Sequence, residues 1–320
     1  MEIAPGIHRI ETDVAGRVAC VFLLRGAEGS VLVDTGMNYA PDANILPYLD
    51  QIRCPYDSIH RVIVTHCDFD HMGGGEALRK SLPRAQFLSH PAERIEAQSL
   101  DMLIAHRLGE FGRDHAMPET AETLAWLHDT VTPTHVDGVL TGGEVIDLGG
   151  LVAHVMVLPG HSAGHLALYV PAQKVAIVAD AVLGDSLLFR DGSPAFPPTY
   201  RYPGQYQTSI LELQRTPMDL MLTSHFDPMN GRQAETFLAQ TQDFMDRLDR
   251  AIEAQLSEGM VWTLRDLSKV LAPEFGQWAP EAGMLICWPV LGHLERMVAD
   301  GYVVCDHANG VRNYRIAGAR

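Results

Sequence analysis

Four side chains able to bind a metal ion, His66, Asp68, Asp70 and His71, fall within six residues directly after the apolar run Arg61–Thr65. On leaving a strand, positions 66, 68 and 70 alternate and so share one side, while His71 begins the next element and can turn back toward them. Gly73, Gly74 and Gly75 permit the close turn that this requires. Two carboxylates and two imidazoles gathered this tightly would be destabilising through charge crowding and unsatisfied polarity unless cations neutralised them. A solvated polar loop would explain the charges, but not the apolar run before them or the glycines after.

Three more residues of ligand type repeat the pattern. His161 stands in Leu158-Pro-Gly-His161-Ser-Ala-Gly-His165, Asp180 follows Val175–Ala179, and His225 follows Leu220–Thr223. Each sits where an apolar run ends, a usual place for a site to be built. Cys67 lies inside the first motif, but strand alternation points it away from His66 and Asp68, so a buried structural thiol is expected.

The elements that must position these residues are short apolar runs bounded by Gly, Pro or Asp: Ile7–Ile10, Cys20–Leu24, Val31–Asp34, Arg61–Thr65, Ala85–Ser89, Val152–Leu158, Leu166–Val170, Val175–Ala179 and Leu220–Thr223. They read as strands. Val31–Asp34 and Ala176–Asp180 both carry a buried strand into an acid, which hints at two similar halves. Ala92–Val131 lacks strand signal and is expected to form two helices that shape access to the site, with His106, His115 and His128 on exposed faces. Ala234–Leu256 keeps the helical period and is expected to stop near Gly259. Beyond it come a capping box at Thr263–Asp266, a buried stripe of Leu291, Leu294, Met297 and Val298, and an Asn309-Gly310 hairpin turn. Helices followed by a hairpin suggest a small winged-helix-like module. The expected division is residues 1–235, a connecting helix at 236–255, and the module at 256–320.

Composition excludes several classes. With 320 residues, 47% of them hydrophobic, the chain can bury a large core without staples. No run approaches the ~20 apolar residues of a membrane span, and the start lacks a signal sequence, so a cytoplasmic protein is expected. Five scattered cysteines, with no Cys-x-x-Cys pair, argue against a disulfide framework and a zinc ribbon. A net charge of −16 opposes phosphate-backbone binding, and the C-terminal segment is not basic, so packing or homodimerisation is expected of it rather than nucleic-acid binding.

At these motifs the chain resembles the metallo-β-lactamase fold superfamily. The landmarks are Asp34-Thr35-Gly36, the Thr65–Gly74 run, Pro159–His165, Asp180 and His225, in the family's order. The resemblance implies a four-layer αββα sandwich of mixed α/β class, plus the small C-terminal module. It implies two divalent metal ions, with His66, Asp68 and His161 holding the first, Asp70, His71 and His225 the second, and Asp180 bridging them. Zinc is the expected metal. Asp68 departs from the pattern, which has histidine there, and its oxygen shifts preference toward iron or manganese. On this reading Asp68→His should retain or raise zinc-supported activity.

The implied chemistry is hydrolysis of a small-molecule ester, lactone, thioester or related electrophile by a metal-bridging hydroxide. Asp70 is expected to orient the attacking water as the catalytic carboxylate. His165 and Asp34 are expected to support the ligands. Tyr206, with Tyr200 and Tyr202, is expected to face the substrate or simply to pack. Two alternatives follow from the same residues: a diiron oxygen- or redox-active protein, suggested by Asp68, and an RNA-processing nuclease, disfavoured by the charge.

Overall fold

The computed structural model describes residues 1–256 and 260–318. The expected helix stop near Gly259 therefore lies outside the described residues.

Two mixed sheets face each other. The first has seven strands, in the order Glu2–Ala4, Ile7–Val14, Arg17–Arg25, Ser30–Val33, Ile59–Ile63, Gln86–Ser89 and Gly138–Val139. The second has six: Met229–Asn230, Leu220–Thr223, Val175–Ala179, Leu166–Val170, Val152–Val157 and Val145–Asp147. Strands such as Ser30–Val33 and Val175–Ala179 are buried along their whole length, which is why their sequences are unbroken apolar runs rather than alternating ones. Phe22, Leu24, Val31, Val33 and Ile63 from one sheet meet Leu166, Leu168, Ile177 and Leu222 from the other between the layers.

Helices cover both outer faces. On the first sheet, Leu49 and Leu78 pack over Leu23, Leu32, Val62 and Phe87. On the second, the helices Pro203–Arg215 and Gly231–Leu256 press Ile210, Leu213, Phe237, Phe244 and Leu248 against Ala176 and Val178. The result is the four-layer αββα sandwich that the motifs implied.

The core over the second sheet continues without a break into the C-terminal elements. A short strand, Trp262–Thr263, leads into the helix Leu264–Phe275, whose Thr263 hydroxyl accepts the Asp266 N–H at 3.1 Å as the capping box required. The helix Cys287–Ala299 and the hairpin Val303–Ala308 with Val311–Ile316 follow, and Asn309 and Gly310 both take positive φ in the turn. Leu267, Leu291, Leu294 and Tyr314 all belong to the same apolar cluster as Val178.

The insertion between the halves is helical but broken. Residues 94–115 run through successive short segments, Arg94–Ala97, Leu100–Leu103, Ile104–Leu108 and Gly109–His115, and Ala121–Thr130 follows. His115 departs from the expected exposed face: it is 1% exposed, wedged between Phe111 and Tyr314, and burial pulls its pKa down to about 4. Its helix packs on the C-terminal hairpin, a neighbour that local sequence does not announce. Among the described residues no helix is long and apolar enough to cross a membrane.

Candidate metal centre

The site forms where strands of both sheets end on one edge. Asp34 closes the strand Ser30–Val33 at φ 69°, a left-handed conformation costly for any residue but glycine. The strain turns its carboxylate under the motif loop. Asp34 Oδ1 accepts the Thr65 N–H at 2.7 Å, and Oδ2 accepts the Thr65 hydroxyl and His71 Nδ1, both at 2.9 Å. His71 is thereby locked with its Nε2 facing outward from the sheet. Gly74 packs so close to this turn that a Cβ would lie 2.4 Å from the Thr35 carbonyl oxygen, which explains the glycine run.

The other strand ends deliver their side chains to the same point. His225 donates through Nδ1 to the Val18 carbonyl at 2.7 Å, which turns its Nε2 to within 2.9 Å of Asp180 Oδ2 and 3.7 Å of Asp70 Oδ2. Asp180 Oδ2 is also 3.5 Å from His71 Nε2. His161 Nε2 lies 2.9 Å from Asp68 Oδ2, and His66 Nε2 lies 3.5 Å from the same oxygen. Three donor groups result: His66 with Asp68 and His161, Asp70 with His71 and His225, and His66 with His71 and Asp180, the donor atoms of each lying within 4.8 Å of one another. All seven residues singled out from the sequence converge.

The residues fit cations. His66 Nε2, His71 Nε2 and Asp180 Oδ1 are buried without a hydrogen-bond partner, an arrangement that proteins avoid unless something else satisfies those atoms. The protonation pattern says the same. Burial alone would lower the pKa of His71 and His225, yet the carboxylates around them, Asp180 foremost, raise both. Burial would raise that of Asp180, yet His225 and His71 hold it well below the usual carboxylate range. Around Asp180, His71 and His225, carboxylate and imidazole charge compensate one another at positions that divalent ions could take.

His165 and Asp34 support the donors. The His165 ring lies 4.8 Å from that of His66, stacked on it, and its Nε2 accepts the Asp180 N–H at 3.2 Å. Tyr206 is fully buried, stacked on Tyr200 at 4.5 Å, and its hydroxyl accepts the Leu183 N–H at 2.9 Å. It braces the loop after Asp180 and does not reach the cavity. Tyr206→Phe should therefore strand a buried N–H and cost about 1–3 kcal/mol in denaturant unfolding, with KM unchanged. A large rise in KM at unchanged stability would instead put its hydroxyl on the substrate.

Two charged residues that local sequence did not single out complete the centre. Arg107, from the insertion, forks onto Asp68, with Nε 2.5 Å from Oδ1 and Nη2 3.0 Å from Oδ2. Its guanidinium also lies 4.8 Å from the ring of Trp288, in the C-terminal helix Cys287–Ala299. Burial would raise the Asp68 pKa, but Arg107 and the His161 hydrogen bond hold it well below the carboxylate range. Glu93, 1% exposed, accepts the backbone N–H groups of Cys67 and Gly164 at 3.0 and 2.6 Å, and so clamps the two motif turns together. Cys67 is buried, and burial pushes its thiol well above the usual range. It packs in an apolar cluster with Val64, Met72 and Ala97 and belongs to none of the three donor groups, although the strand ends at Ile63 and so strand alternation does not set its direction.

A cavity of about 220 Å³ opens over Asp68, Asp70, His161, Asp180 and His225. Leu103, Leu108, Trp126 and Leu127 of the insertion form one wall, Leu183, Leu187 and Phe196 another, and Leu285 and Trp288 of the C-terminal segment a third.

An αββα sandwich with seven clustered His and Asp donors at the strand ends of one edge defines a metal-dependent hydrolase class. The chain belongs to the metallo-beta-lactamase superfamily, whose sequence profile matches residues 15–225. It is 27% identical over 241 residues to the human acyl-coenzyme A thioesterase MBLAC2, covering 68% of this chain and 77% of that one. It is 30% identical over 124 residues to a hydroxyacylglutathione hydrolase of Jannaschia sp. (strain CCS1), covering 38% and 44% of the two chains. Its backbone is similar to that of a metallo-beta-lactamase family protein from Thermus thermophilus, with a TM-score of 0.76, 20% identity, and coverage of 98% of this chain and 100% of that one. The protein is an enzyme, a metal-dependent hydrolase of the metallo-beta-lactamase fold.

Proposed function

We propose that the protein hydrolyses acyl thioesters with two divalent cations, zinc first among them. His66, Asp68 and His161 would hold one, Asp70, His71 and His225 the other, with Asp180 shared between them. The observation that carries this is the interleaving of the three donor groups, with three of their atoms buried and unpartnered, at the floor of an apolar-walled cavity. Thioesters are favoured among the possible electrophiles because two relatives, by name, act on acyl-coenzyme A and on hydroxyacylglutathione.

When bound, the cations would acidify a water and polarise the carbonyl oxygen. The protein's own groups do the rest. Asp70, 8% exposed, faces the cavity and would orient the water and take its proton as attack begins. Val18 and Asp34 hold His225 and His71 in one ring orientation each, so little rearrangement is needed to present their nitrogens. The leucines and tryptophans of the wall would seat the acyl chain and exclude bulk water.

We divide the chain into a catalytic unit at 1–235, a connecting helix at 236–255 and a winged-helix-like module at 256–320, and assign the module a packing role. Leu285 and Trp288 let it close the substrate cavity, a use that needs no nucleic acid. Five unpaired cysteines accord with a reducing, cytoplasmic setting.

Elemental analysis of the purified protein, with a thioester assay, tests the reading. Two divalent ions per chain are expected, with turnover lost on chelation and restored by zinc. Full activity after exhaustive chelation would overturn it.

A further inference from the structure

Two arginines line the cavity, and only one is neutralised there. Arg107 spends its fork on Asp68. Arg17 pairs with no carboxylate among the described residues, and its Nε is buried without a hydrogen-bond partner. It begins the strand Arg17–Arg25, and the next residue, Val18, is the one whose carbonyl fixes His225, so the hairpin is moored beside the donor cluster. The guanidinium lies over the ring of Phe196, 4.9 Å from its centroid, which restrains it against the cavity wall. Asp70 and Asp13 act on it electrostatically without forming an ion pair with it. Once Asp70 serves a cation, only Asp13 still offsets Arg17, without pairing with it, and the Arg17 Nε is shut off from water with no hydrogen-bond partner. That is costly to keep unless a ligand supplies the counter-charge. The chain's net charge of −16 gives anions no general attraction, so recognition of one must be local.

We propose that Arg17 is the recognition point for an oxyanion on the substrate, so that the preferred substrates join an apolar acyl group to a thiol that bears a carboxylate or phosphate close to the scissile bond. This rests on the hydrolase reading above. A planar guanidinium fork matches either oxyanion with two parallel hydrogen bonds, and the flanking Phe196 ring suits the apolar remainder.

The test uses metal-replete enzyme and three hexanoyl thioesters of matched length: of 2-mercaptoethanol, of 3-mercaptopropionate and of 2-mercaptoethyl phosphate. The wild type should favour one or both charged esters over the neutral one by about tenfold or more in kcat/KM, and the better of the two tells carboxylate from phosphate. Arg17→Gln should erase that preference through KM, by about ten- to a hundredfold, the usual worth of a hydrogen bond to a charged group. It should leave the neutral ester within about twofold, while Arg17→Lys restores part of the preference. Equal losses on all three esters, or no preference in the wild type, would overturn the assignment. Calorimetry with the matching uncleavable hexyl thioethers reads Arg17 separately from catalysis. If no ester is cleaved but the charged thioethers bind more weakly to Arg17→Gln, the hydrolase reading fails and the oxyanion point stands; equal affinities would remove the oxyanion point.

Discussion

Asp180→Asn is expected to lower kcat/KM by about a thousandfold or more and to leave the protein holding at most one divalent ion per chain. The magnitude corresponds to the several kcal/mol that a correctly held metal contributes to a hydrolytic transition state. Asp180 stands where the two halves of the cluster meet, in one donor group with His66 from the first half and His71 from the second. Its Oδ2 meets His225 and His71 at 2.9 and 3.5 Å, its Oδ1 is buried and unpartnered, and it shares a donor group with His66. Asparagine keeps the shape, so the fold should survive, but it removes the charge that draws the two positions together. Metal content by mass spectrometry after desalting, measured beside turnover, decides the matter. Two tightly held ions and near-normal turnover in Asp180→Asn would remove it from the centre. His71→Ala and His225→Ala should be similarly inactive but should retain an ion at the His66, Asp68 and His161 position.

The same residues show why so much of the fold could be read locally. The strands Leu166–Val170, Val175–Ala179 and Leu220–Thr223 have the bounds expected of them, because strands buried between two layers need uninterrupted apolar runs and their limits are set by turn residues. The short edge strands Gly138–Val139 and Val145–Asp147 escaped notice, since a pairing of two or three residues leaves no period to detect. The donors were legible for a related reason. A ligand that leaves a strand through a tight turn brings glycines with it, and at Gly160 a Cβ would lie 2.3 Å from Tyr206 Cα.

What could not be read was long-range charge pairing. Arg107 and Glu93 sit in mixed stretches with no local pattern that marks their partners, and Arg17 only opens an apolar strand. The partner of Arg107, Asp68, lies 39 residues away, and those of Glu93, Cys67 and Gly164, lie 26 and 71 residues away. His115 was misplaced for the same reason, because the hairpin that buries it lies at the far end of the chain.

Arg107 also reverses the expectation for Asp68→His. Taken alone, Asp68 is an oxygen ligand where the family pattern has a neutral imidazole, and restoring histidine should favour zinc. In the structure, however, the carboxylate is one half of a mostly buried ion pair, with the Arg107 side chain 10% and the Asp68 side chain 23% exposed. Arg107 holds Oδ1 while Oδ2 faces His161 and His66, so the pair as a whole presents one oxygen and no net charge, much as a histidine would present one nitrogen. Histidine at position 68 would leave the guanidinium buried beside a divalent ion without its counter-charge. Breaking such a pair from one side typically costs about 3–5 kcal/mol. Asp68→His is therefore expected to unfold at markedly lower denaturant concentration and to lose the ion held with His66 and His161. The double variant Asp68→His with Arg107→Leu removes both charges, and should recover most of the stability and bind zinc at that position through three histidines. The four proteins of this double-mutant cycle should show a coupling energy of about 2–3 kcal/mol between the two positions, at the upper end for residues in contact. If Asp68→His alone is as stable as the wild type and holds two zinc ions, Arg107 is a bystander and Asp68 acts independently of it.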